Sequence, residues 1–175
     1  GRFSRDKKHE VMIEAFKKLH EKIKDYSFHI IGSFQENNPL YDQKYFNILK
    51  KEAEGYPIEF HVNMPHKKLL RFLEKSQIYW HARGYGETDP HEYENFGITT
   101  VEAMAAGCIP IVINLGAQPE IVEHKKSGYV WEEPEELINF TEKNLTLEKI
   151  NPNDITKRSS RYSKNVFITR LINFI

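Results

Sequence analysis

The chain has 175 residues, of which 39% are hydrophobic and 29% charged, which is enough to bury one core. Its 25 basic and 25 acidic side chains cancel, so the charge gives no support for a nucleic-acid partner, which usually requires a net basic face. The single cysteine, Cys108, excludes an internal disulfide and a CxxC metal knuckle, and it predicts a reducing, cytoplasmic setting in which Cys108 is a core residue.

Helices and strands are predicted to alternate along the chain. Apolar side chains with helical spacing predict a first helix, through Val11, Met12, Ala15, Phe16, Leu19 and Ile23. Apolar runs predict strands at 26–31, 57–62, 78–81, 108–113 and 128–131. Further helices are predicted at 37–55, 66–76, 97–106 and 116–122, and from Pro134 onward. This alternation predicts an α/β fold in which one parallel sheet has helices on both faces. Ligands are expected to bind at the carboxyl ends of the strands.

The segment 94–107 is the most informative part of the sequence. It is a polar loop that enters a helix through Gly97 and Thr99, and the first amides of a helix have no intrahelical acceptor. These features predict a phosphate site at the start of the helix. Glu94 and Glu102 flank that site, where carboxylates could accept hydrogen bonds from sugar diols. The alternative is that Glu94 caps the helix and Glu102 is a solvated helix residue.

This segment resembles the Glu-x7-Glu signature of family 4 retaining glycosyltransferases, which have the GT-B fold. Glu94 and Glu102 are in register with it, as is the apolar stretch between them. Other matching motifs follow in family order, namely Gly1-Arg2-Phe3 with Lys7, Ile30–Ser33, Ile109–Val112 and 116–122. The resemblance covers residues 1–131. It implies a Rossmann-like three-layer domain over 1–175 that is the C-terminal half of a GT-B protein, with the N-terminal acceptor domain absent from this chain.

The resemblance also implies roles for individual residues. Cations matching Arg2 and Lys7 neutralise the donor's diphosphate, with the adjacent Lys8 as an alternative to Lys7 and ordinary surface cations as the alternative to both. The residues matching Phe96, Gly97, Ile98 and Thr99 bind the donor sugar and phosphate through main-chain amides. Glu102 matches the residue that binds the ribose, and Glu94 matches the one that contacts the donor sugar beside its anomeric carbon.

Further positions are assigned to the donor site with less support. Gly32 ends a strand and turns at the site, and Asn63 with Met64 stands where the family often places base-contacting backbone, although a plain turn explains them equally well. His81 ends the third strand without an obvious partner, which favours a packed histidine. The loop 83–93 is long for the family, and it either shapes access to the site or is a surface insertion.

The implied activity is transfer of a hexose such as mannose or glucose with retained anomeric configuration. The donor is a GDP- or UDP-linked sugar that serves as substrate, and no cofactor is implied. No metal is expected, because the sequence has no Asp-x-Asp pair and its histidines show no metal-ligand spacing. Two other classes stay open: a stand-alone nucleotide-binding module, and a related reaction such as that of an epimerase or a phosphorylase.

The remaining predictions concern what the chain binds and where it acts. The acceptor, a glycan or a lipid-linked group, is expected to bind through the absent N-terminal domain, so that the isolated chain is inactive. A terminal helix is expected to expose an apolar strip that drives self-association, at Phe167, Leu171 and Phe174. The predicted location is the cytoplasm, or the cytoplasmic face of a membrane for the full-length protein.

Overall fold

The computed structural model describes residues 1–36, 38, 41–147 and 150–172, and it confirms the α/β fold. The helices are α1 His9–Lys22, α2 Gln43–Glu52, α3 His66–Leu73, α4 Ile98–Ala105, α5 Gln118–Ile121, α6 Pro134–Thr146, α7 Pro152–Ser159 and α8 Lys164–Ile172. The strands are β1 Phe28–Gly32, β2 Ile58–Val62, β3 Ile78–His81, β4 Ile109–Ile113 and β5 Tyr129–Trp131. Short 3-10 helices lie at Arg5–Lys7, Pro90–Glu92 and Ser160–Tyr162.

The strands form two parallel sheets, so the expectation of a single sheet is wrong in this respect. β1 pairs with β2, and β4 pairs with both β3 and β5. Between the facing strands β1 and β3, side-chain packing replaces a hydrogen-bonded ladder. The rings of Phe28 and Trp80 are tilted against each other there, with their centroids 5.1 Å apart. A cleft therefore opens between the two sheets.

The larger core surrounds β4, in which all five residues are buried. Such a continuous apolar run is what a central parallel strand with both faces covered requires. The helices α1 and α6 pack against each other, as do α4 and α7. Cys108 precedes β4 and is buried, with its thiol donating to the carbonyl oxygens of Leu73 and Ser76. Burial raises the pKa of this thiol to about 11, which confirms Cys108 as a core residue.

The smaller core covers one face of β1 and β2 with aromatic rings. Phe3 is fully buried, and its ring lies 4.7 Å from that of Phe46. The first residues of the chain run beside the end of β1, because Phe3 N donates to Ser33 O and Ser33 N donates to Gly1 O. Gly32 lies at this crossing, where an added Cβ would come within 2.9 Å of the Phe3 ring. The absence of a side chain at Gly32 therefore has a packing cause.

Some predicted boundaries change. The helix expected over 37–55 is only ten residues long, since Asp42 caps its start by accepting a hydrogen bond from Tyr45 N. Residues 37, 39 and 40 of that prediction lie outside the described residues, as do the side chains of Phe167 and Leu171 and all of Phe174 in the predicted apolar strip. Among the described residues, none of the helices has the length and hydropathy needed to cross a membrane.

Candidate functional site

A cleft of about 900 Å³ runs along β1 and β3 between the two sheets, and at the carboxyl ends of these strands it is lined by the start of α4 and by Asn63 and Met64 after β2. This volume is within the usual range for small-molecule sites. The predicted site residues that line it are Lys7, Gly32, Asn63, Met64, Glu94, Phe96, Ile98, Thr99 and Glu102. Buried Gly97 lies between two of them. Arg2 is exposed and is not among the described residues that line the cleft.

Glu94 lies at the centre of the polar part of the cleft and uses its two carboxylate oxygens differently. Oε1 accepts long hydrogen bonds from the amides of Phe96, at 3.4 Å, and Gly97, at 3.3 Å. Oε2 faces the cations and lies 3.3 Å from the ammonium of Lys7. Because α4 begins at Ile98 with Gly97 as its N-cap, Oε1 binds amides that precede the first helical turn and does not cap the helix, while Oε2 is directed at a cation on the cleft wall.

His81 has a partner, contrary to the expectation from the sequence. Its Nε2 lies 3.6 Å from Glu94 Oε2, a close contact that is longer than an ordinary hydrogen bond. The side chain lies at the end of β3 and is only 7% exposed. Its Nδ1 is buried without a hydrogen-bond partner among the described residues. His81 is therefore a buried neighbour of Glu94 rather than simply a packed core residue.

Arg83 is the second cation at Glu94, and the sequence analysis missed it. Its guanidinium lies 3.6 Å from Glu94 Oε2 and 3.3 Å from Asp6 Oδ2, and it donates to the carbonyl oxygen of Glu92. Arg83 lies two positions after the last residue of β3. The rule that ligands bind at the carboxyl ends of parallel strands would have identified it.

The charges in this cluster fix the ionisation of Glu94 and His81. The neighbouring His81 ring, then Lys7 and the Gly97 amide, hold the pKa of the Glu94 carboxyl far below its usual range, against burial, which raises it. Burial lowers the pKa of His81, although Glu94 opposes this shift. At neutral pH the cluster therefore contains an ionised Glu94 beside a neutral His81.

Lys7 and Lys8 have different partners, and of the two only Lys7 lines the cleft. Lys7 contacts Glu94 in the cleft, whereas Lys8 forms an ion pair with Glu87 in the 83–93 loop. The difference arises because the chain turns at Lys8, which lies between the 3-10 helix and α1 and has a left-handed φ of 53°. Lys7 is thus the lysine placed at the predicted diphosphate site.

The start of α4 is held in place by side chains beneath it. Gly97 adopts a left-handed φ of 61°, and an added Cβ would come within 2.3 Å of Ile121 Cδ1. Thr99 Oγ1 lies 2.9 Å from the hydroxyl of Tyr79, and buried Thr100 donates to Gln118. The first turn of α4 is therefore held in place beside the cleft, which Ile98 and Thr99 line. Phe96, with 77% of its surface exposed, forms an apolar rim beside them.

The backbone around Gly116 holds the loop that carries Glu94. Ala117 N donates to the carbonyl oxygen of Glu94, at 2.8 Å. Gly116 has a φ of 58°, and an added Cβ would lie only 2.4 Å from that same oxygen. A residue with a side chain would displace the loop, so the glycine determines the position of the carboxylate.

Glu102 lines the same cleft as Glu94, one turn into α4. Its Oε1 lies 3.1 Å from Nε2 of His66, the first residue of α3. The carboxylate is 28% exposed, which leaves it accessible from the cleft. His66 is a second residue that the sequence analysis missed, because its proximity to Glu102 depends on the packing of α3 beside α4.

At the end of β2, Asn63 is fixed by its own hydrogen bonds. Its side-chain oxygen accepts from Phe34 N and its side-chain nitrogen donates to Phe34 O, so both amide atoms join the loops after β1 and β2. Its φ of 53° is left-handed. The side chain thus shapes the turn, and the backbone at Asn63 and Met64 remains as the cleft lining.

Comparisons with known proteins agree with this geometry. Residues 1–165 match the family of glycosyl transferases group 1. The chain is 35% identical over 123 residues to the Xenopus tropicalis GDP-Man:Man(3)GlcNAc(2)-PP-Dol alpha-1,2-mannosyltransferase, covering 66% of this chain and 23% of that protein. The Xenopus laevis protein of the same name is 32% identical over 141 residues, covering 74% of this chain and 27% of that one. The chain thus spans about a quarter of the length of these relatives.

Solved structures show the same fold. Anabaena Alr3699/HepE, in complex with UDP and glucose, superposes with a TM-score of 0.78 and 18% identity, over 99% of this chain and 45% of that one. The C-terminal domain of the Francisella tularensis group 1 protein LpcC superposes with a TM-score of 0.66 and 20% identity, over 91% and 77% respectively. These neighbours identify the fold as that of a C-terminal GT-B domain. Since the family match extends over nearly the whole chain, the protein belongs to the glycosyl transferases group 1 family.

Proposed function

We propose that this chain binds the nucleotide-sugar donor of a retaining glycosyltransferase and presents it to an acceptor bound by an N-terminal domain. The observation that carries this proposal is that Lys7, Arg83 and the start of α4 converge on Glu94 in one cleft, with Glu102 on the same wall. A diphosphate fits beside the two cations and the helix amides. The carboxylates on either side then accept hydrogen bonds from the ribose and the donor sugar.

In the transfer step, the bond between the anomeric carbon and the diphosphate oxygen breaks, and its electron pair leaves with the diphosphate. The acceptor hydroxyl forms the new bond on the same face, and its proton passes to the departing diphosphate. Negative charge grows on that leaving group, so Lys7, Arg83 and the helix amides stabilise the transition state more than the ground state. These groups neutralise the phosphates without requiring a metal ion.

The relatives favour mannose carried by GDP as the donor and a lipid-linked glycan as the acceptor, since their names give both. Binding of the donor first requires a change at Glu94, because its Oε1 occupies the Phe96 and Gly97 amides that we assign to the donor. Both of these hydrogen bonds are long. A sugar hydroxyl or phosphate oxygen can therefore replace the carboxylate there at little cost.

Calorimetric titration of the chain with GDP, UDP, GDP-mannose and UDP-glucose tests the proposal. We expect diphosphate-dependent binding that persists in EDTA and weakens by about 10- to 100-fold in Lys7→Ala, as for loss of a charged hydrogen bond. Lys8→Ala is the matched control, because the adjacent lysine pairs with Glu87 instead, and its affinity should stay within about twofold of wild type. Equal losses in the two variants would contradict the diphosphate site.

The two carboxylates are tested separately. Glu102→Ala should weaken both GDP and GDP-mannose, whereas Glu94→Ala should abolish only the extra affinity that the sugar provides. Exposed Glu135 on α6 supplies the control variant Glu135→Ala. If Glu102→Ala bound GDP unchanged, the ribose assignment would be wrong. A sugar contribution that survived Glu94→Ala would contradict the role of Glu94, and equal affinities of the wild-type chain for GDP and GDP-mannose would favour a nucleotide-binding module without transferase activity.

A further inference from the structure

Three potential metal ligands meet on the β1–β2 sheet, outside the residues assigned to the donor. Parallel pairing places His29 opposite Glu59, and His61 lies two residues further along β2. All three side chains project from the same face of the sheet, because residues two apart along a strand share a face. This face is opposite the aromatic core, and Phe72 of α3 packs against both imidazoles with ring centroids 4.9 and 5.1 Å away.

The donor atoms have the spacing that a tetrahedral metal requires. His29 Nδ1 lies 3.0 Å from His61 Nε2, and Glu59 Oε2 lies 3.6 and 3.7 Å from these two nitrogens. Bonds of about 2.0–2.1 Å at tetrahedral angles place neighbouring ligand atoms about 3.3 Å apart. The three observed separations lie on either side of this value, so shifts of a few tenths of an ångström would complete the geometry.

The remaining nitrogen of His29 also has the partner that metal-binding histidines usually have. His29 Nε2 lies 2.8 Å from the hydroxyl of Ser27. When Nε2–H donates to this hydroxyl, Nδ1 is left as a bare lone pair directed at His61 and Glu59. Such outer hydrogen bonds fix the tautomer and ring orientation of a ligating histidine.

Exposure and charge suit a metal that enters from solvent. The two imidazoles are 26% and 22% exposed, while Glu59 is 62% exposed and supplies the negative charge at the opening. Without a metal, His29 Nδ1 and His61 Nε2 hydrogen-bond to each other at 3.0 Å, and a cation can replace the proton between them.

We propose that His29, Glu59 and His61 form a binding site for a divalent transition metal of the Zn²⁺ class, with the fourth position open to water. The ion would join β1 to β2 beneath α3, just before the strand ends that form one wall of the cleft. His29 also lines the cleft, but among the described residues none of the three ligands takes part in the ion pairs of the diphosphate cluster around Glu94, which join it to Lys7, His81 and Arg83. The proposed sugar transfer therefore does not depend on it, and the two proposals fail independently.

Titration of the EDTA-treated, dialysed chain with CoCl₂ tests the site, because tetrahedral Co²⁺ has intense visible bands and ZnCl₂ should abolish them by competition. His61→Ala should weaken Co²⁺ binding by more than about 100-fold, since it removes a ligand. Ser27→Ala should weaken it by about tenfold, as outer-shell changes do. Glu59→Gln tests the third ligand and should also weaken Co²⁺ binding. Because the Glu59 side chain is exposed, this replacement leaves the core intact.

His91→Gln is the matched control, since His91 is exposed in the 83–93 loop and should leave Co²⁺ binding unchanged. GDP titrations of His61→Ala and Glu59→Gln should match wild type, which also shows that these variants fold. Either of two results would overturn the site: no tetrahedral spectrum in the wild-type chain, or a spectrum that persists unchanged in both His61→Ala and Glu59→Gln.

Discussion

The β3–β4–β5 sheet and the β1–β2 sheet contribute to the same cleft in different ways. β3 ends in His81 and leads to Arg83, and α4 follows with Glu94 at its entry, so this side supplies charged side chains. The β1–β2 side ends in Gly32 and Asn63, where positions are set by backbone approach and by hydrogen bonds to Phe34. One side thus provides the chemistry and the other provides shape.

This difference assigns parts of the ligand to the two sheets. A diphosphate and the reacting sugar require charge that is fixed before binding, which the Glu94 cluster supplies. A nucleotide base requires a shaped, partly apolar wall, which the strand ends and the Met64 backbone supply. Changes on the β3 side should therefore affect diphosphate and sugar binding, while changes at the strand ends, at Gly32, Asn63 and Met64, should affect base preference and stability.

The largest expected effect is a loss of stability in acid. It involves one buried histidine in each region, His9 in the β1–β2 core and His81 at the end of β3. Burial lowers the pKa of His9 to about 4, with Lys7 acting in the same direction and Asp6 opposing it, and burial also lowers the pKa of His81. Between pH 6.5 and 4 the unfolded chain binds protons that the folded chain does not, so stability falls as pH falls. For His9 the loss is about 3 kcal/mol.

Urea unfolding across this pH range measures the two contributions. His9 packs against Phe3 and Tyr45 in the β1–β2 core, so the slope that His9→Gln removes belongs to that region. The slope that His81→Gln removes belongs to the β3 side. Exposed His91 provides the control, because His91→Gln should leave the slope unchanged. A wild-type slope in both buried variants would show that neither histidine causes the acid sensitivity.

The same division explains what the sequence could predict. Apolar periodicity located every strand within two residues at either end, and the Glu94-to-Glu102 spacing identified the start of α4, because both are local patterns. The segment from Glu94 to Glu102 contains both the loop and the first turn of α4, which begins at Ile98. Local patterns thus sufficed where the functional groups are neighbours in the chain.

What the sequence did not predict depends on contacts between distant segments. Arg83 contacts Asp6, 77 positions away in the numbering, and His66 contacts Glu102 only because α3 packs beside α4. The His29 and His61 pair arises from strand register, which chain spacing does not reveal. The opening between β1 and β3 likewise depends on how Phe28 and Trp80 pack.

An intermediate effect is expected at Gly116. A comparison with Gly86 distinguishes the contact that positions Glu94 from the backbone strain of a left-handed residue. Gly116→Ala places a Cβ 2.4 Å from the Glu94 carbonyl oxygen at a φ of 58°, and should destabilise the chain by about 2–3 kcal/mol. Gly86→Ala is the control, since its φ of 75° is equally left-handed but nothing lies within 4 Å of the added Cβ. It should cost only about 1 kcal/mol.

Binding should distinguish these two glycine variants further. Gly116→Ala displaces the loop that carries Glu94, so the extra affinity for GDP-mannose over GDP should decrease. Gly86→Ala should keep it. If both variants lost stability equally and bound alike, the contact between Gly116 and Glu94 would not determine the position of the carboxylate.

The smallest effects are expected at two left-handed positions that contribute to stability with opposite signs. Asn63, with φ 53°, is joined to Phe34 by two hydrogen bonds, so Asn63→Gly should destabilise the chain by about 1 kcal/mol and weaken the preference between GDP and UDP. Lys125, with φ 65°, is exposed and lies far along the chain in the turn before β5. Lys125→Gly should relieve strain and stabilise the chain by about 0.5–1 kcal/mol. Urea unfolding measures the sign of the change in unfolding free energy for each variant. A loss of stability in both variants would mean that the Asn63 side chain is not what distinguishes the two turns.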